Sequence, residues 1–238
     1  MYYVGFLLLF PILTAAILFL IRNYTARKII VIISSIAISG VTLYFATQNF
    51  FSSSNHFYIK DAEIINLIFL AIEFIIMCYI VFLGIRYKKI YVALLSLVQS
   101  AITFWLELSG KTEVKPDFYL YIDKFSIIMS SIIAVVGCLI CVYAVGYMKS
   151  YHSHHKEYKD RSPMFFSLLF VFIGAMFGIV FSNNLIWLFF FWEITTLCSF
   201  LLIGYTKTKE AITNSFRALW MNLIGGLCFA LAIAYSAI

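Results

Sequence analysis

Eight apolar runs, each near the length needed to cross a bilayer, occupy most of this chain. They are residues 3–21, 28–47, 64–85, 90–106, 125–148, 164–181, 185–203 and 217–238. A hydrocarbon layer about 30 Å thick takes about 20 mostly apolar residues as a helix, and lipid offers no partner to a free backbone N–H or C=O. The runs are continuous and lack period-2 alternation, which excludes a transmembrane barrel. Of the 238 residues, 63% are hydrophobic and 12% charged, where a soluble domain carries about 25% charged residues. Little chain is left for a separate soluble domain. The fold class is all-α and polytopic, with eight transmembrane helices. The first run has no basic stretch before it and no small-residue cleavage site after it, so it reads as a mature helix with an expected bend at Pro11.

The net charge of +6 is a topology signal and does not point to nucleic acid. Arg22, Arg27 and Lys28 follow the first run, and Arg86, Lys88 and Lys89 follow the third. Lys149, Lys156, Lys159 and Arg161 follow the fifth, while Lys207, Lys209 and Arg217 follow the seventh. The other loops hold only Lys60, Lys111, Lys115 and Lys124 among their bases, together with six acids. Basic residues collect on the cytoplasmic side, so the N-terminus is expected outside. A missed helix would scramble this alternation.

Two motifs look like cofactor chemistry at first sight. Cys138 and Cys141 have C-x-x-C spacing, but residues three apart on a helix are face neighbours, and an iron–sulfur cluster needs four thiolates. They read as small packing residues. His152, His154 and His155 form H-x-H-H within residues 149–163 (KSYHSHHKEYKDRSP). No cysteine or well-spaced carboxylate completes a metal site there, so a solvated, headgroup-facing loop is expected. Residues 49–63 and 109–123 are expected as outer loops. Residues 204–216 (GYTKTKEAITNSF) are expected to run as a helix into the last span, capped by Thr206 or Thr208. The chain closes on LCFALAIAYSAI with no polar tail, as the front part of a longer protein would.

Only two acids lie deep in the predicted spans, Glu73 and Glu193. An ionised side chain at a helix centre costs about 2.5–3.5 kcal/mol, and such a group usually faces a bundle interior or an aqueous cavity. Burial and a nearby cation act oppositely on a carboxyl's protonation, which is what a proton relay requires. Thr196 and Ser199 follow Glu193 on one broad helix face and would put hydroxyls beside it. Glu193 is therefore the leading relay candidate, with an interhelical hydrogen bond as the structural alternative. Glu73, in LIFLAIEFIIMCYIV, has aliphatic and aromatic neighbours and no polar stripe of its own. It, Thr196 and Ser199 are secondary candidates. The aromatic run around Trp187 and Trp192 reads as packing or lipid contact. No nucleophile elbow, phosphate loop or dinucleotide fingerprint is present.

The second half resembles the antiporter-like membrane subunits shared by NADH:quinone oxidoreductase, Mrp-type cation/proton antiporters and energy-converting membrane-bound hydrogenases. The resemblance rests on YIDKFS (residues 121–126), VYAVGYM (142–148), FIGAMFGIVFSNNLIWLFFFWEITTLCSFLLIGY (172–205) and EAITNSFRALWMNLIGG (210–226). Its most specific part is the W-E pair followed by small and hydroxyl residues. The resemblance implies that Glu193 is the family's relay glutamate and that Arg217 is the basic residue at the start of the next helix. It implies that residues 1–120 are four accessory helices. Residues 121–238 would be the start of the translocation unit, ending before the helix that carries its partner lysine. Leu223 and Gly226 stand where respiratory relatives often have an arginine and an aspartate. That N-L-I-G-G variant and two extra early spans lean towards the hydrogenase (Ech-like) branch.

The expected function is an ion-translocating subunit (protons, with sodium exchange a variant) of a redox-driven complex in a prokaryotic cytoplasmic membrane. No redox site or cofactor is expected in this chain; nickel–iron and iron–sulfur centres would sit in peripheral partner subunits, beside other membrane subunits. One rival is a subunit of an Mrp-type antiporter without redox partners. A rival of another class is a structural scaffold in which Glu193 only ties helices together.

Overall fold

A computed structural model of the chain describes residues 2–51, 55–57, 62–108, 118–155 and 157–236. The middles of the two expected outer loops, Lys60, Lys111, Lys115, Lys156 and the last two residues of the C-terminal run lie outside them. Among the described residues there are eight helices long and apolar enough to cross a membrane. They are α1 (Tyr2–Leu20), α2 (Tyr24–Asn49), α3 (Ala62–Arg86), α4 (Ile90–Leu108), α5 (Lys124–His154), α6 (Ser162–Phe181), α7 (Leu185–Ile203) and α8 (Lys209–Ser236). Two three-residue strands, β1 (Asn55–Phe57) and β2 (Leu120–Ile122), pair with each other.

Helix ends depart from the apolar runs where caps and helix-tolerant polar residues carry the backbone further. Asn23 accepts the Thr25 N–H and starts α2 ahead of its apolar stretch. Asp123, the acid of YIDKFS, caps α5 by accepting both the N–H and the hydroxyl of Ser126, at 2.7 and 2.8 Å. Those bonds hold its carboxyl below the usual aspartate range. Thr208 accepts the Ala211 N–H at 3.1 Å, which places the start of α8 as expected. α5 continues past Met148 through His152 and His154, so part of the expected histidine loop is helix. α1 runs through Pro11 as one helix.

The chain forms two compact units, one of Met1–His56 with Tyr121–Phe181, the other of Phe57–Leu120 with Ser182–Ile238. In the first, α1 packs on α6 and α2, and α5 packs on α2 and α6, closing a four-helix ring. Gly174 lets α6 approach α1 at its proline: a Cβ there would lie 3.2 Å from Ile12 Cγ1 and 3.5 Å from Pro11 Cβ. In the second, α4 packs on α3 and α8, and α7 packs on α8 and α3. Each unit thus takes two helices from either half of the sequence.

The second unit has an apolar cluster at each end of its bundle. One gathers Ile76, Ile80, Val92, Phe200, Phe216, Leu219 and Leu223. The other gathers Leu106, Phe189, Ala230 and Ile233, beside an aromatic wall in which Phe69 stacks on Phe190 at 3.9 Å. Trp187 belongs to that wall and donates its indole N–H to Asn66 Oδ1 at 2.7 Å. Trp187, Phe189, Phe190 and Phe191 of α7 are buried, while Trp192 is exposed. In lipid such contacts act through close fit more than through water exclusion.

Candidate functional site

Between the two apolar clusters lies a polar layer, built from the middles of four helices. Glu193 occupies the centre of α7. Its Oε1 accepts a hydrogen bond from Gln99 Nε2 of α4 at 2.5 Å. A small cavity opens beside the pair, lined by Ile76, Ile80, Trp192, Thr196, Asn222 and Leu223 as well. Gln99 is only 2% exposed, and it is pressed against α8 where that helix has a glycine. A Cβ on Gly226 would meet Gln99 Oε1 at 2.8 Å and Cδ at 3.0 Å. Gly226 thus leaves the space that admits the amide.

Glu73, near the middle of α3, is buried at 3% exposure. Glu73 Oε1 and Gln99 Oε1 are buried without a hydrogen-bond partner among the described residues. A buried oxygen without a donor costs about 1–3 kcal/mol. The polar company that α3 lacks comes from α4. Ser96, Gln99, Ser100 and Thr103 are all buried, with Glu107 partly buried after them, and this spacing is one face of a helix.

The candidate residues divide in three ways. Thr196 is buried and lines the cavity with Glu193. Ser199 sits one turn away and donates its hydroxyl to the Thr195 carbonyl at 2.9 Å. Arg217 is exposed and donates to Asn214 Oδ1 on its own helix at 3.4 Å; no contact joins it to Glu193 among the described residues.

Sequence reasoning missed Gln99 and the α4 stripe, and it read Glu107 as a loop acid. The signal was there as polar residues three and four apart in LLSLVQSAITFWLEL, one helical stripe inside an apolar run. Glu107 falls within α4 because the helix outlasts its apolar run by two residues, ending at Leu108.

The histidines lie elsewhere, in the first unit. His152 Nε2 is 3.4 Å from Asp160 Oδ1, His154 Nδ1 meets the Ser150 carbonyl, and His155 Nδ1 meets Glu157. Burial works to raise the Asp160 pKa, but the hydroxyl and N–H of Ser162, with the charges of His152 and Arg27, hold it below the usual range. Cys138 and Cys141 are buried free thiols.

Residues 105–166 match the family model for the N-terminus of chain 5 of NADH-ubiquinone oxidoreductase (complex I). Residues 182–236 match the family model for the transmembrane region of NADH:quinone oxidoreductase and Mrp antiporters. A protein of Staphylococcus haemolyticus (strain JCSC1435) named Na(+)/H(+) antiporter subunit A1 is 35% identical over 138 residues, 58% of this chain and 16% of that protein. Proteins of the same name from Staphylococcus aureus strains JH9 and Newman are 30% identical over 148 residues, 58% of this chain and 17% of theirs. The chain therefore spans about a sixth of the length of these curated relatives. The stretch 182–236 contains Glu193, Thr196, Asn222 and Gly226, whereas Glu73 and Gln99 lie outside both matched regions.

Proposed function

We propose that this chain is part of an ion-translocating, antiporter-like membrane subunit of the Mrp cation/proton type, with Glu193 as its proton-relay carboxyl. The observation that supports this reading is a mid-span carboxyl, held by one amide and opening on a cavity with Thr196 and Asn222. It lies inside a region similar to complex I and Mrp subunits. Magnitudes favour a working role over a structural one. An interhelical hydrogen bond in a membrane is worth about 0.6–2 kcal/mol, less than the about 2.5–3.5 kcal/mol an ionised group costs at a helix centre. A scaffold would do as well with a neutral amide.

In this reading Glu193 takes a proton from one side and releases it to the other as its surroundings change. Thr196 supplies a hydroxyl at the cavity wall. Of the early helices, accessory by sequence position, α3 contributes Glu73 and α4 contributes Gln99. Arg217 lies at the end of α8 nearer the cytoplasm by the charge pattern, where it would act on the field and not by contact. Other membrane subunits of a prokaryotic cytoplasmic membrane complete the assembly. The relatives found are antiporter subunits, so the hydrogenase lean has no support from them.

A redox-driven assembly is the second reading, favoured by the complex I description of both matched regions. Any flavin, iron–sulfur or nickel–iron centre would then belong to partner subunits. Metal and flavin content of the purified native assembly separates the two readings. The relay itself is tested by Glu193→Gln in the full-length, assembled protein. Cation-dependent proton movement in inverted membrane vesicles is expected to fall about a hundredfold or more, the scale of one positioned proton-transfer group. A normal rate at normal assembly would leave only the scaffold.

A further inference from the structure

Besides Glu63 and Glu210 in the first turns of α3 and α8, three carboxyls of the second unit form a series along its bundle. Glu193 and Glu73 stand at mid-helix. Glu107 stands at the last turn of α4, on the side that the charge pattern predicts to be outer. No lysine, arginine or histidine is buried in this unit among the described residues. Its described bases Arg86, Lys88, Lys89, Lys207, Lys209 and Arg217 all lie towards the opposite end of the bundle. Neighbouring acids in a poorly solvated interior do not all ionise together.

The α4 stripe joins these acids. Ser100 and Thr103 are buried and lie between Gln99 and Glu107 on one face. The Thr103 hydroxyl donates to the Ser100 carbonyl at 3.0 Å, which leaves its oxygen free to accept. Gln99 Oε1 and Glu73 Oε1 are the two buried oxygens here that lack a donor. Water or a protonated carboxyl is the kind of group that satisfies such oxygens. An apolar lining would have served packing better than this line of acceptors.

We propose that Glu107 and Glu73 form an outer-side proton path to Glu193 along the polar face of α4. Glu107 is the entrance, Glu73 the buried carrier, and water the bridge between them. The Glu73 carboxyl gives its proton to the Glu193 carboxylate, and the Glu107 carboxyl then reprotonates the Glu73 carboxylate. Each step protonates one oxygen as it deprotonates another, so no net charge is created in the interior. The path rests on the relay reading of Glu193 but is separable from it.

The test uses Glu73→Gln, Glu73→Asp, Glu107→Gln and Glu107→Asp in the full-length assembled protein in inverted vesicles. Two quantities are read: the rate of cation-dependent proton movement, and the rate at which the infrared bands of protonated carboxyls respond to deuterium oxide. Glu73→Gln is expected to slow both about tenfold or more, a modest share of the effect of a positioned proton-transfer group. Glu107→Gln is expected to slow both by a smaller factor, with Glu107→Asp restoring them. Glu73→Asp keeps a carboxyl and is expected to retain most of the rate; if Glu73→Gln does not assemble, exchange at the Asp carboxyl decides the point. If both glutamine variants assemble and keep wild-type rates while Glu193→Gln is inactive, the path is wrong and the relay stands. If Glu73→Gln slows transport and Glu107→Gln does not, the entrance assignment is wrong. If Glu193→Gln is itself normal, the relay reading falls first.

Discussion

At the residue scale the site turns on an amide and a glycine. Gln99 reaches from α4 to Glu193 only because Gly226 leaves room for its head against α8. A methyl at 226 would overlap that amide, and overpacking a tight contact costs about 1–3 kcal/mol. Gln99 could relieve the strain by turning away, at the cost of its bond to Glu193. Gly226→Ala is therefore expected to lower transport by about tenfold or more, while thermal stability in detergent falls by no more than that overpacking cost. In a Gln99→Ala background the same substitution meets no amide and is expected to have little further effect. A double-mutant cycle on transport rate reads this directly, because coupled residues give non-additive effects. Additive losses would mean that Gly226 serves α8 alone.

At the element scale, the eight helices were legible because hydropathy and length decide them without tertiary help. α7 spans the same residues in sequence and structure, Leu185–Ile203. What could not be read was which polar residue faces which. Glu73 looks isolated on its own helix, and its polar neighbours arrive from α4 by packing. The α4 stripe was the readable part, masked by the apolar residues between its members. α5 overran its expected end because Lys, Ser, Tyr and His continue a helix once it is nucleated, whatever their affinity for water.

The cap of α5 yields an element-scale prediction. Asp123 has a folded pKa below its ordinary value of 3.8, so its contribution to stability is complete above that value. It is lost as pH falls through the lower, folded value. Asp123→Ala removes the cap and is expected to cost about 1 kcal/mol near neutral pH. The gap between variant and parent narrows as pH drops below 3.8, because the protonated parent cap is weaker. Thermal unfolding in detergent across that range measures it. A gap that stayed constant with pH would show that the carboxylate's charge contributes nothing.

At the scale of the whole molecule, interleaving is the feature that sequence order hides. α1 pairs with α6 and α2 with α5, while α3 and α4 join α7 and α8. The family matches cover residues 105–166 and 182–236, but each packed unit also draws on chain before residue 105. By their charge, the turns carrying Arg22, Lys88, Lys159 and Lys207 are expected on the cytoplasmic side. The energy behind that choice is the bias of Lys and Arg against crossing, which short, charge-dense turns express strongly. Tyr2 is 94% exposed at the start of α1 and Ser153 is exposed in the last turn of α5. A cysteine at either position should therefore report the side it faces. In intact cells an impermeant maleimide is expected to label Tyr2→Cys and not Ser153→Cys, and in inverted vesicles the pattern is expected to reverse. The native Cys78 and Cys228 lie within spans, so they should stay unlabelled by the same reagent. Labelling of Ser153→Cys in intact cells would invert the topology, and with it the direction in which Glu107 faces.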